Sequence, residues 1–136
     1  MENKKAIFWL KVSFIIGMIT DALALIPMLL PPMAKIFWGF SDFTGIYYFA
    51  MGYGASLMLA WTILLYWGYR KPLERRYVAL LTSLILACFV ITEIIAVCNG
   101  YVKLNKIVPS FILQAILLIL FNYSFIISRN RKTAKG

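Results

Sequence analysis

Residues 77–97 read YVALLTSLILACFVITEIIAV, an apolar run whose only charged side chain, Glu93, lies near its end. At about 1.5 Å of rise per residue this run makes a helix of roughly 30 Å, the thickness of the hydrocarbon core of a bilayer. Three more runs of similar length surround it, over about 6–30, 46–69 and 107–127. Together they predict an all-α integral membrane protein, a four-transmembrane-helix up-and-down bundle. Composition agrees: 62% of the residues are hydrophobic, against about 45–50% in soluble domains. The expected organisation is one membrane domain, 1–136, ending in a basic tail, 128–136.

The first run is interrupted by Lys11 and Asp21 and closes on Pro27 and the Pro31-Pro32 pair. It is too long for a signal-peptide core, so it reads as an uncleaved first crossing with Lys11 snorkelling back to the headgroups. Of the 14 Lys and Arg residues, eleven fall on one side of a four-crossing chain: Lys4, Lys5, Lys11, Arg70, Lys71, Arg75, Arg76, Arg129, Arg131, Lys132 and Lys135. Only Lys35, Lys103 and Lys106 fall on the other. The positive-inside rule then predicts a multi-pass plasma (inner) membrane protein with both termini and the middle loop in the cytoplasm. The middle loop, RKPLERR at 70–76, is short enough to make the second and third crossings antiparallel neighbours. Pro72 and Glu74 suit the first turn of the third. Its charges read as topology signals and headgroup contacts, with anionic-lipid recognition as the alternative. The connection over 31–44 carries Phe37, Trp38, Phe40 and Phe43 and reads as an interfacial aromatic segment.

Several function classes drop out. The net charge of +9 sits beside the apolar runs and serves topology, so nucleic acid is not an expected partner. No histidine is present, which removes the commonest metal ligand and the side chain best suited to proton shuttling near neutral pH, and no metal or cofactor is expected. Cys88 and Cys98 are ten positions apart on one helix, about 15 Å, too far for a disulfide, and read as small packing residues.

The acids inside the runs carry the functional signal, because an ionisable side chain facing hydrocarbon costs roughly 2.5–3.5 kcal/mol on insertion scales. Counted from the outer boundary, Asp21 and Glu93 lie about 14 and 9 Å deep, and Tyr53 and Gln114 about 10 Å. Each crossing thus brings one polar side chain to a similar level, and these four residues form the expected ligand or ion pocket. Ser13, Gly17, Asp21 and Ala24 make a small and polar stripe on the first run, and Ser110, Gln114 and Asn122 one on the fourth. On the second, Gly52, Ser56 and Ala60, with Ala50 and Gly54 beside them, have small-xxx-small spacing that suits close helix packing. The bland alternative is that neutral acids hydrogen-bond inside a bundle and serve packing alone.

The segments YFAMGYGASLMLAWTILLYW at 48–67, RKPLERR at 70–76 and TDALALIPMLLPP at 20–32 resemble an uncharacterised group of small prokaryotic four-helix integral membrane proteins. That resemblance implies the fold and carries no function. The chain lacks the C-x-x-C of quinone-linked thiol oxidoreductases, and Asp21 lacks the sequence surroundings of small multidrug exporters. The expected role is to bind or transport a cation, a proton or a small polar solute through an outward-facing polar pocket. Four helices make a narrow path, so the expectation includes a homo-oligomer in the lipid bilayer. The alternatives are a non-catalytic lipid-binding or accessory subunit of a larger membrane complex and, further off, a membrane isomerase using paired carboxyls. No catalytic residue is assigned, and the reading leans away from an enzyme.

Overall fold

The computed structural model describes residues 2–129, with side chains from Lys4 onward. The described residues form five helices: α1 Glu2–Leu29, α2 Pro31–Trp38, α3 Gly45–Arg70, α4 Tyr77–Cys98 and α5 Leu104–Arg129. Four of them, all but α2, are long and apolar enough to cross a membrane, so the chain is a multi-pass membrane protein that contacts the lipid bilayer. Arg131, Lys132 and Lys135 of the basic tail lie outside the described residues, and α5 itself extends to Arg129.

Local chemistry sets the breaks. Pro31 forces Leu30 out of the helical region, to φ −114° and ψ 104°, which separates α1 from α2, and the Pro31-Pro32 pair then opens α2 at positions that need no N–H partner. The connection over 31–44 is therefore not all loop. Gly39 ends α2 with φ 76°, its N–H reaching the Lys35 carbonyl at 3.1 Å, and Thr44 caps α3 by accepting the Tyr47 N–H at 3.3 Å. At the opposite end of α3, Pro72 and Glu74 are not in the first turn of the next helix. They sit in a hydrogen-bonded turn over 72–76, and α4 starts at Tyr77. Within that turn Arg75 folds back to lay its guanidinium 3.6 Å from the Trp67 ring centre and to donate to the Trp67 carbonyl.

α1 is the central element, packed against α3 on one side and α5 on the other, while α4 packs chiefly on α5. α3 and α4 touch little despite the short loop between them; Trp61 Nε1 donating to Thr82 Oγ1 at 3.3 Å is the side-chain hydrogen bond that joins them. The core is concentrated at the end that holds the 70–76 loop. Leu10, Phe14, Leu65, Val78, Ala79, Leu86, Leu117, Phe121 and Phe125 form it, with Phe14 and Phe121 fully enclosed. Along α5 the inward residues Ile107, Gln114, Phe121 and Ser128 recur every seven positions, the spacing of left-handed helix packing.

Small residues let the α1–α5 seam close. Gly17 faces the Phe121 ring, and Ser13 and Ser124, both fully buried, meet at 2.9 Å between hydroxyls. With one proton on each hydroxyl, one serine donates across the seam and the other donates to a carbonyl of its own helix, Ser13 to that of Trp9 or Ser124 to that of Leu120, both at 2.8 Å. Interhelical hydrogen bonds in membranes average about 0.6 kcal/mol, so Ser13→Ala is expected to lower stability by less than about 1 kcal/mol. Unfolding in mixed micelles measures this, and a loss several times larger would show that the seam depends on the pair rather than on close packing.

Near the same end, Arg76 is 7% exposed and donates to the Ser128 carbonyl at 2.8 Å. That carbonyl lies near the end of α5 as described, so the arginine ties the middle loop to that part of α5.

Candidate functional site

One polar cluster lies at the α4–α5 seam. Glu93 Oε1 accepts from Ser110 Oγ at 2.6 Å and from Gln114 Nε2 at 2.9 Å, and Gln114 Nε2 also reaches Ser110 Oγ at 3.1 Å. Ser110 and Gln114 are one helical turn apart on α5, so both face the same point on α4. Gln114 is 7% exposed. Two oxygens of the cluster, Glu93 Oε2 and Gln114 Oε1, are buried and have no hydrogen-bond partner among the described residues. With the Ser110 O–H given to Glu93 and Gln114 Nε2 donating to both Glu93 and Ser110, the cluster presents acceptors and keeps no spare side-chain donor. Such acceptors suit a cation, a proton or the donor groups of a small polar solute.

Of the four residues expected to line a pocket, Glu93 and Gln114 meet directly. Asp21 is half-buried on α1 and makes no hydrogen bond or ion pair among the described residues. Its level follows from the α1–α5 register: Ser13 pairs with Ser124 and Gly17 faces Phe121, which brings the Asp21 turn alongside Leu117. Leu117 is three residues from Gln114, about 4.5 Å along the helix axis, so Asp21 lies roughly one turn deeper than the Glu93 cluster. α1 and α4 have few contacts with each other, and no hydrogen bond joins Asp21 to Glu93 among the described residues. Tyr53 points elsewhere: it is 66% exposed, with its ring 5.5 Å from that of Phe49.

Ser110 belongs to the cluster more closely than Tyr53 does, and its position four residues before Gln114 is the signal that could have placed it there. The small residues divide as well. Gly17 is a true close approach, since a Cβ there would lie 2.7 Å from Phe121 Cζ and 3.3 Å from Leu65 Cδ1. A Cβ on Gly54 would meet the flexible end of Met28, whereas one on Gly52 would meet nothing within 4 Å. Ser56 and Ala60 are exposed, and Ala55 takes the buried position on that stretch of α3. Asn122 is also exposed and bonds back to the Leu118 carbonyl. Cys88 and Cys98 lie on the exposed surface of α4 and are not packed inside the bundle. Trp61, by contrast, packs against the core.

Comparison with protein-family models, with curated proteins and with solved structures found no match. The resemblance to small four-helix membrane proteins therefore stands as a likeness of architecture: four long apolar helices in a membrane protein, with no family shown.

Proposed function

We propose that this protein binds, and as part of a carrier or channel conducts, a cation, a proton or a small polar solute at the Glu93–Ser110–Gln114 cluster. The observation that supports this reading is the pair of buried oxygens without partners, Glu93 Oε2 and Gln114 Oε1. An unpartnered acceptor away from water costs about 1–3 kcal/mol, and a bound cation or donor removes that cost at each oxygen it reaches. Asp21, about one turn deeper, is the next carboxylate a permeating ion or proton would meet. In this reading the termini and the 70–76 loop face the cytoplasm of a plasma (inner) membrane, the orientation that the distribution of basic residues favours, and the cluster lies in the outer half. Four helices enclose little space, so the permeation unit is a homo-oligomer or a larger membrane complex. The outward face of α3 with Gly52, Ser56 and Ala60 has the small side chains for a contact between copies.

The test is flux in proteoliposomes given proton, sodium and potassium gradients in turn, with a pH-sensitive dye or ion-selective electrode as readout. Wild-type protein is expected to respond to at least one gradient. Glu93→Gln, which keeps the shape but removes the charge, is expected to lower that response about tenfold or more, the equivalent of a single lost charge contact of about 1.4 kcal/mol. Asp21→Asn is expected to lower it less. A response that survives both substitutions unchanged would remove the cluster from the conduction path.

A further inference from the structure

We propose that the cavity at the junction of α3 and the 70–76 turn is a binding site for the phosphodiester headgroup of an anionic lipid. The cavity is open, about 360 Å³, and lined by Trp67, Arg70, Lys71 and Arg75. Three of its four lining residues are cationic. Glu74, the nearest acid in the turn, is already paired with Lys71 at 3.1 Å, which leaves an excess of positive charge.

Arg75 is held for the role before any ligand arrives. Its guanidinium is stacked on the Trp67 indole at 3.6 Å and one of its N–H groups is spent on the Trp67 carbonyl. The planar fork keeps further N–H groups, and a fork fixed in this way loses little freedom when it meets two oxygens of a phosphate. Arg70 makes no side-chain hydrogen bond among the described residues and ends α3, while Lys71 follows it directly; both are exposed at the cavity rim. Trp67 supplies the amphipathic ring typical of the membrane boundary, where glycerol and acyl carbons begin.

Position chooses the source of the phosphate. The cavity lies where the apolar part of α3 ends and the charged turn begins, the level at which lipid headgroups sit, so a phosphate tethered to acyl chains is delivered there already concentrated. The remaining cation of the turn, Arg76, is buried on the Ser128 carbonyl and takes no part.

Native mass spectrometry of the full chain in mild detergent, with phosphatidylglycerol or phosphatidylcholine added at equal concentration, tests the proposal. Wild-type protein is expected to retain one phosphatidylglycerol in preference to phosphatidylcholine. Arg70→Gln with Lys71→Gln is expected to weaken that retention roughly 30-fold, as two lost charges at the membrane surface imply. Lys35→Gln with Lys103→Gln removes the same charge from exposed positions elsewhere and is expected to leave retention unchanged. Equal loss in both double variants would reduce the effect to general electrostatics and overturn the site, as would equal retention of the two lipids. Displacement of phosphatidylglycerol by millimolar inorganic phosphate would assign the cavity to a soluble anion and overturn the lipid. Should the double variant fail to fold, Arg70→Gln alone, at an exposed residue, is expected to weaken retention about fivefold, and an unchanged value would overturn the proposal.

Discussion

Replacing the whole polar cluster by apolar residues, Glu93→Leu with Ser110→Ala and Gln114→Leu, is expected to make the protein more stable and to abolish the binding proposed for that cluster. The cluster contains three hydrogen bonds among its side chains and two buried oxygens without partners among the described residues. Each net hydrogen bond contributes about 0.5–1.5 kcal/mol, while each unpartnered buried acceptor costs about 1–3 kcal/mol, so the two sums nearly cancel. The carboxyl itself adds the cost of holding an ionisable group in the span, roughly 2.5–3.5 kcal/mol on insertion scales. Removing all partners at once leaves nothing unsatisfied, and buried ionic groups replaced in this way commonly gain about 1–4 kcal/mol. Gln114→Leu alone has the opposite sign. It strips Glu93 Oε1 of one donor and leaves the acid in place, with an expected loss of about 1–3 kcal/mol. Reversible unfolding in mixed micelles reads both values. A triple variant less stable than Gln114→Leu would make the cluster a structural fastener, and the case for a bound ligand would go with it.

The second large effect is steric. Gly17→Leu is expected to cost about 3 kcal/mol or more, since the first added carbon already lies 2.7 Å from Phe121 Cζ and 3.3 Å from Leu65 Cδ1. Phe121 cannot easily withdraw: it is fully buried, with the Phe14 ring 6.2 Å away. Gly17→Ala is a closer contest. Alanine gains up to about 1 kcal/mol in helix preference, whereas overpacking costs about 1–3 kcal/mol, so a small net loss is expected. Adding Phe121→Leu to Gly17→Leu should recover part of the stability if the clash is the cause. Unfolding free energies in micelles give the comparison; no recovery would place the damage elsewhere on α1.

The four crossings were legible because length and hydropathy alone decide them, and their ends agree with the helices to within a few residues. Helical phase was harder. On α5, Ser110, Gln114 and Asn122 fall at multiples of four, and four residues turn a helix through about 400°, so by Asn122 the face has rotated about 120° from Ser110. The packed face instead follows seven-residue spacing through Ile107, Gln114, Phe121 and Ser128, and Asn122 is left outside. On α3 the small residues carried no phase signal, because Gly52, Ser56 and Ala60 resemble a packing stripe whether they meet a neighbouring helix or face outward. Arg76 was illegible for a different reason. Its loop resembles any run of basic residues at a membrane boundary, and only the approach of α5 shows that this arginine is spent on the Ser128 carbonyl while Arg70, Lys71 and Arg75 remain around a cavity.

The central place of α1 also dictates an order of assembly. α3 can dock on α1 as soon as it is made, but α4 finds its main partner in α5, and α5 in turn must join α1 through contacts such as Ser13 to Ser124, 111 residues apart. Until α5, the last of the four spans, has entered the bilayer, α4 has only its slight contacts with α3 and α1, and Glu93 lacks both its donors. Premature arrest of translation ahead of Ser110 would therefore strand an acid in lipid, a defect that quality-control proteases of the membrane are suited to detect.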